Sequence, residues 1–85
     1  MSMTRQEIID QLREILIYAD ENNASRLDNC TEDSHLIADL GFSSVDLLYM
    51  VIAIEETFDI RFENVTIGDV ETLGKVVTYI QEHMA

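Results

Sequence analysis

Two adjacent hydroxyls, Ser43 and Ser44, stand between Gly41 and an apolar run that begins at Val45, and they are the side chains best placed for chemistry in this chain. A serine acts as a nucleophile only when a base takes its proton. Neither histidine, His35 or His83, nor the one lysine, Lys75, lies near the pair in sequence, so a self-activated nucleophile is excluded. The plain reading of either serine is a helix N-cap. The second grouping is Cys30, Asp33 and His35. A closed zinc site wants about four ligands, His83 is the other histidine, and no D-x-[DN]-x-[DN]-G loop is present, so no metal site is expected. Cys30 is alone, which rules out an intramolecular disulfide and points to a reducing compartment.

The elements that must position these groups are helical. Thr4 and Glu7 have capping-box spacing, and Ile8, Ile9, Leu12, Ile15, Leu16 and Ala19 recur on one face, which predicts a first helix from Thr4 to about Asp20. From Glu21 to Ser43 the periodicity lapses into Asn, Asp, Ser and Thr, the residues of turns, and the reading is a long loop pinned by Leu27, Leu36, Ile37 and Leu40. Gly41 ends it, and Ser43 or Ser44 caps a second helix running to about Phe58. That helix is apolar almost all round, more than so small a bundle can hide, so part of it is expected to face a partner. Phe58, Ile60 and Phe62 alternate with polar residues but have no strand to pair with, so an extended loop is expected there, followed by one helical turn near Val65 to Asp69. Leu73, Val76, Val77, Ile80 and Met84 predict a closing helix from about Glu71 or Thr72. The fold class is all-α: a single domain, residues 1–85, of three main helices and one short one.

Composition limits what such a domain can do. At 85 residues, with 47% apolar residues, the chain can build a core, yet little is left to enclose a catalytic cleft. Five basic against 17 acidic residues give a net charge of −12. That balance excludes nucleic acid and anionic membrane surfaces as partners and favours brief docking on basic protein surfaces. No apolar run approaches a membrane span and no cleavable leader is recognisable, so a soluble, cytoplasmic monomer is expected.

The stretch Asp39-Leu40-Gly41-Phe42-Ser43-Ser44-Val45-Asp46-Leu47-Leu48, followed by Ile54-Glu55-Glu56-Thr57-Phe58, resembles the acyl carrier protein family. That family reads roughly D-L-G-x-D-S-L-D at its attachment site and closes its second helix with an apolar residue, two acids, one more residue and Phe. Asp39, Leu40, Gly41, Ser44, Asp46, Glu55, Glu56 and Phe58 match, Val45 stands in for Leu, and the succession of helices extends the likeness over the whole chain. Two positions depart from the pattern. Ser43 replaces the Asp that usually precedes the modified serine, which points toward a specialised carrier, and Tyr49 occupies a place where the family often has an acid.

The resemblance implies that Ser44 carries 4′-phosphopantetheine, with Ser43 the other candidate by register alone. Physically the position suits the role, because the free N–H groups and dipole of a helix N-terminus favour an anionic phosphodiester. Ser44 would then be substrate and anchor, the base being supplied by the modifying enzyme. It further implies a discrete carrier, not an enzyme, that holds acyl intermediates as thioesters for fatty acid, polyketide or specialised lipid synthesis. The partners implied are a phosphopantetheinyl transferase and acyl-carrier synthetases, acyltransferases or ketosynthases. Asp46, Glu55 and Glu56 would meet basic residues of those enzymes around an apolar centre at Val45 and Ile52, although burial in the core explains Val45 and Ile52 equally well. Leu48, Met50, Val51, Ile54, Phe58, Ile60, Leu73 and Val76 are candidates to line an interior for the cargo. The rival reading is an acidic helical interaction module with no prosthetic group.

Overall fold

The computed structural model describes residues 3–63 and 67–84, and these described residues form four α-helices and a 3-10 turn: α1 Arg5–Ala19, α2 Asn23–Leu27, α3 Ser44–Phe58, the turn Ile67–Val70, and α4 Leu73–His83. α1 starts where its capping box requires. Thr4 Oγ1 accepts from the Glu7 N–H at 3.1 Å, and Glu7 Oε1 accepts from the Thr4 N–H at 2.9 Å, so two of the donors that every helix start leaves unpaired are satisfied reciprocally. Ile8, Leu12 and Leu16 then enter the core on successive turns.

The segment between the first two long helices is not all loop. Asn23 and Leu27, four residues apart, are both buried and hold the short α2 against α1. Asn23 Nδ2 donates to the Leu16 carbonyl at 2.7 Å, an oxygen that also accepts the Asp20 N–H at 3.2 Å. The side chain thereby satisfies the end of α1 as α2 begins. A sequence rich in turn-forming residues carries no sign of this, because the helix is set by one tertiary hydrogen bond and one apolar anchor, not by periodicity.

Of the four apolar residues expected to pin this segment, Leu27 and Leu36 are fully buried and Leu40 is half-buried, whereas Ile37 is exposed. The reason is the tight turn from His35 to Gly41. Leu40 N–H bonds the His35 carbonyl at 3.0 Å and Gly41 N–H that of Ile37 at 3.1 Å, while Leu36 N–H is held by Glu71 O at 2.9 Å, which turns Leu36 inward and its neighbour out. His35 and Thr72 form an isolated antiparallel bridge.

Beyond α3 the alternating residues form no strand. Ile60 is buried, Phe58 and Phe62 are half-buried, and the Phe62 N–H is held by Glu55 Oε2 at 3.0 Å, as an extended loop would be. Phe62 stacks on Tyr79 at 4.4 Å, and the Tyr79 hydroxyl donates to the Arg61 carbonyl at 2.8 Å, fixing this loop to α4. The expected helical turn is the 3-10 segment Ile67–Val70; Val65 and Thr66 lie outside the described residues.

α4 is capped by Thr72, whose Oγ1 accepts from Lys75 N–H at 3.2 Å, and it buries Leu73, Val76, Val77 and Ile80. Gly74, an unfavourable helix residue, is explained by contact. A Cβ there would stand 2.9 Å from the Glu32 carbonyl oxygen, which accepts the Gly74 N–H at 2.8 Å. Arg5 closes the same corner. Its guanidinium pairs with Glu32 and donates to Thr78 Oγ1 at 3.1 Å, Gln81 Oε1 at 2.9 Å and the Gly74 carbonyl at 3.1 Å, so one side chain joins α1, the long connection and α4. The hydrogen bond from Arg5 holds the Glu32 carboxyl below the usual carboxylate range and raises Arg5 in turn.

Candidate functional site

The start of α3 separates the two serines. Ser43 is the N-cap: its Oγ accepts from Asp46 N–H at 3.2 Å and donates to Asp46 Oδ2 at 3.0 Å, and its own N–H donates to the same oxygen at 2.8 Å. Those bonds, the backbone one foremost, hold the Asp46 carboxyl below its ordinary range, with the positive charge of Arg26 adding to the effect. Ser44 is therefore not the cap. It is the first residue of the helix, it is exposed, and it takes no part in the capping box. Of the two hydroxyls, one is engaged as donor and acceptor and the other is open to a reagent from outside.

The approach to this point is anchored from behind. Phe42 and Leu47, at the positions of a hydrophobic staple around the cap, are both buried, and Arg26 of α2 lies over the Phe42 ring at 5.5 Å. Gly41 takes a left-handed φ of +78°, which a residue with a side chain rarely adopts. Phe42 and Arg26 were not legible as site residues. The staple spacing of Phe42 and Leu47 around Ser43 is the signal by which Phe42 could be found, but nothing in the sequence brings the Arg26 charge within reach of Asp46.

Val45 and Ile52 are 59% and 46% exposed, so core burial is not their role. Leu48 is 60% exposed and is a surface residue, not part of a cargo lining. With Ser44 these three make an apolar strip along the outer face of α3. The apolar spacing at 47, 50 and 54 already fills the core side, and an almost wholly apolar helix must show the remainder to solvent. Met50, Ile54, Ile60, Leu73 and Val76 belong to the packed core, and Val51 and Phe58 lie half-buried against it. Among the acids, Glu56 is exposed, while Asp46 and Glu55 are partly committed to Ser43 and to the Phe62 N–H. Among the described residues no group of three or more His, Cys, Asp or Glu side chains converges as metal ligands; His35 instead pairs with Glu71 at 3.2 Å.

A hydroxyl standing at the head of a helix can hold a phosphodiester, because the N–H groups of Ser44 and Val45, in the first turn of α3, have no partner within the helix and the helix dipole favours an anion there. A small helical fold with an accessible hydroxyl at the head of a helix has the parts a carrier domain needs, one that holds a group for others to act on. Comparison with known proteins agrees. The family model for a phosphopantetheine attachment site matches residues 6–80. An acyl carrier protein of Phenylobacterium zucineum is 32% identical over 78 residues, 92% of this chain and 95% of its own length. One of Clostridium perfringens is 34% identical over 76 residues, covering 89% and 96%, and one of Thermotoga maritima 29% over 84 residues, covering 95% and 96%. The chain belongs to the acyl carrier protein family. It is a carrier and not a catalyst, its prosthetic group is covalent 4′-phosphopantetheine, and it works with a phosphopantetheinyl transferase and with biosynthetic enzymes. The reading as an interaction module without a prosthetic group is set aside by that membership. No helix among the described residues is long and apolar enough to cross a membrane.

Proposed function

We propose that Ser44 Oγ bears the arm and that the chain is a discrete, cytoplasmic, monomeric carrier domain, residues 1–85, of acyl thioesters for fatty acid, polyketide or specialised lipid synthesis. The observation that carries this is the division of labour at the head of α3: Ser43 is held by Asp46, and the exposed Ser44 hydroxyl stays outside the cap. Ser44 Oγ attacks the phosphorus of coenzyme A that bears the pantetheine, a new P–O bond forms, the pyrophosphate P–O bond breaks, and 3′,5′-ADP leaves. The hydroxyl proton passes to a base of the transferase, since the carrier has none close in sequence. The N–H groups of Ser44 and Val45 and the dipole of α3 favour the phosphodiester that results. When bound, the group supplies a terminal thiol that holds the cargo as a thioester.

Val45 and Ile52 supply the apolar centre of docking, and Asp46, Glu55 and Glu56 the charge that meets basic residues of the transferase and of synthetase, acyltransferase or ketosynthase partners. The test is intact mass after incubation with coenzyme A and a broad-specificity transferase. One phosphopantetheine is gained by the wild type and by Ser43→Ala, and none by Ser44→Ala; a Ser44→Ala protein that still gains the group would overturn the assignment.

A further inference from the structure

Arg26 of α2 stands beside the approach to α3 with its charge uncommitted. Its guanidinium lies over the ring of Phe42, two residues before Ser44, at 5.5 Å, and its one hydrogen bond among the described residues is a long one, 3.4 Å, from Nη1 to Asn23 Oδ1. The side chain is exposed and forms no ion pair among the described residues. Asn23 and Leu27, both buried, hold the turn of α2 that carries it. The other four basic residues are placed elsewhere: Arg5 is bound to Glu32, Lys75 to Glu71, Arg13 sits within α1, and Arg61 follows the far end of α3.

We propose that Arg26 is a positioning residue for the prosthetic group: in the loaded protein its guanidinium pairs with the phosphodiester on Ser44 Oγ. This rests on Ser44 as the attachment point and adds the residue that holds the root of the arm. The guanidinium is a planar fork of donors that matches phosphate oxygens and stays charged at any physiological pH. A guanidinium lying over an aromatic ring keeps the donors at its edge free for a second partner, so Phe42 serves as a platform. Loading adds a negative charge to a chain of net charge −12, two residues from Asp46, and a cation is needed there to offset the repulsion. The charge of Arg26 already reaches that point, since it helps to hold the Asp46 carboxyl below its ordinary range without an ion pair between the two. Such a pair fixes the first bonds of an otherwise swinging arm on the α2 side of Ser44, and a basic residue of a partner that takes the phosphate over would release it.

The experiment compares the full-length protein before and after loading with coenzyme A and a transferase, the extent of loading being read by intact mass. Arg26→Gln also removes the contact with Phe42, so the quantity measured is the change in melting temperature on loading, in which that loss cancels. The change for wild type should exceed that for Arg26→Gln by about 2–4 °C, the size expected of one exposed ion pair in a domain of this size. Arg26→Lys should restore part of the difference, Arg61→Gln, which removes the same charge at the far end of α3, should leave it at the wild-type value, and about 1 M salt should abolish it. By NMR, loading should shift the Arg26 Nε–H signal, and the phosphorus resonance of the arm should differ between wild type and Arg26→Gln. Ser44→Ala should gain no mass and leave the Arg26 signal where it is; a Ser44→Ala protein that still loads would refute the attachment point instead. Equal changes on loading in wild type and Arg26→Gln, an Arg26 signal unmoved in fully loaded protein, or an equal loss in Arg61→Gln would each overturn the role of Arg26.

Discussion

Replacing Ser43 and Ser44 one at a time by alanine should separate folding from function at two neighbouring atoms. In Ser43→Ala the acceptor for the Asp46 N–H and the 3.0 Å hydroxyl–carboxylate bond are lost, while the 2.8 Å bond from the residue 43 N–H to Asp46 Oδ2 remains. Half of the capping box survives, so the cost should sit near the middle of the measured range for caps, about 1 kcal/mol. For a domain of this size that lowers the melting temperature by about 4–8 °C. Ser44 makes no capping bond and is exposed, and alanine is the better helix former, so Ser44→Ala should change stability by less than about 0.5 kcal/mol in either direction. Loading runs the opposite way: Ser43→Ala keeps the ability to gain one phosphopantetheine, and Ser44→Ala loses it. Thermal melts by circular dichroism and intact mass on the same four samples, wild type, both single variants and the double variant, give the whole comparison. A Ser44→Ala protein that melts like a lost cap, or a Ser43→Ala protein that melts like wild type, would refute the division of roles drawn from the geometry.

Gly74→Ala should destabilise by about 1–3 kcal/mol, the range for overpacking, despite a gain of up to about 1 kcal/mol in helix propensity, because the new Cβ meets the Glu32 backbone carbonyl at 2.9 Å; a stabilised variant in denaturant titration would contradict the packing at that corner. Glu32 and Asp46 both have carboxyl groups held below their ordinary range by hydrogen bonds, so their contribution is full above the unfolded carboxylate range near about pH 4 and is lost as pH falls through the lower folded values. Glu32→Gln should therefore be less stable than wild type at pH 7 and lose less further stability on acidification, and parallel pH–stability curves for the two proteins would be the contrary result. Seventeen acids against five bases repel one another, so the melting temperature should rise as salt goes from about 10 mM to about 150 mM, which shortens the screening length from about 30 Å to about 8 Å, and rise again with magnesium; a melting temperature indifferent to both would count against self-repulsion.

Local sequence carries much of the architecture here because its signals are short-range. The Thr4–Glu7 box, the recurrence of Ile8, Leu12 and Leu16 at every fourth residue, and the caps at the starts of α3 and α4 are relations among residues three or four apart, which chain chemistry sets before any tertiary contact forms. The same holds for the candidate anchor, since a hydroxyl at the start of an apolar helix and the acids that follow it are read directly from positions 39 to 58.

What the sequence determined by itself is an acidic helical carrier with a serine at the head of its second long helix. What only the tertiary structure decided is which apolar residues pay the cost of exposure. Val45, Leu48 and Ile52 are as plainly apolar as Leu47, Met50 and Ile54, and only the placement of α3 against α1 and the core sends one set out and the other in. α2 exists because Asn23 reaches the end of α1, and Tyr18 and Tyr49, distant in sequence, come to share a groove. Burial and side-chain hydrogen bonding between elements depend on where separate helices dock, and no pattern within a single helix contains that information.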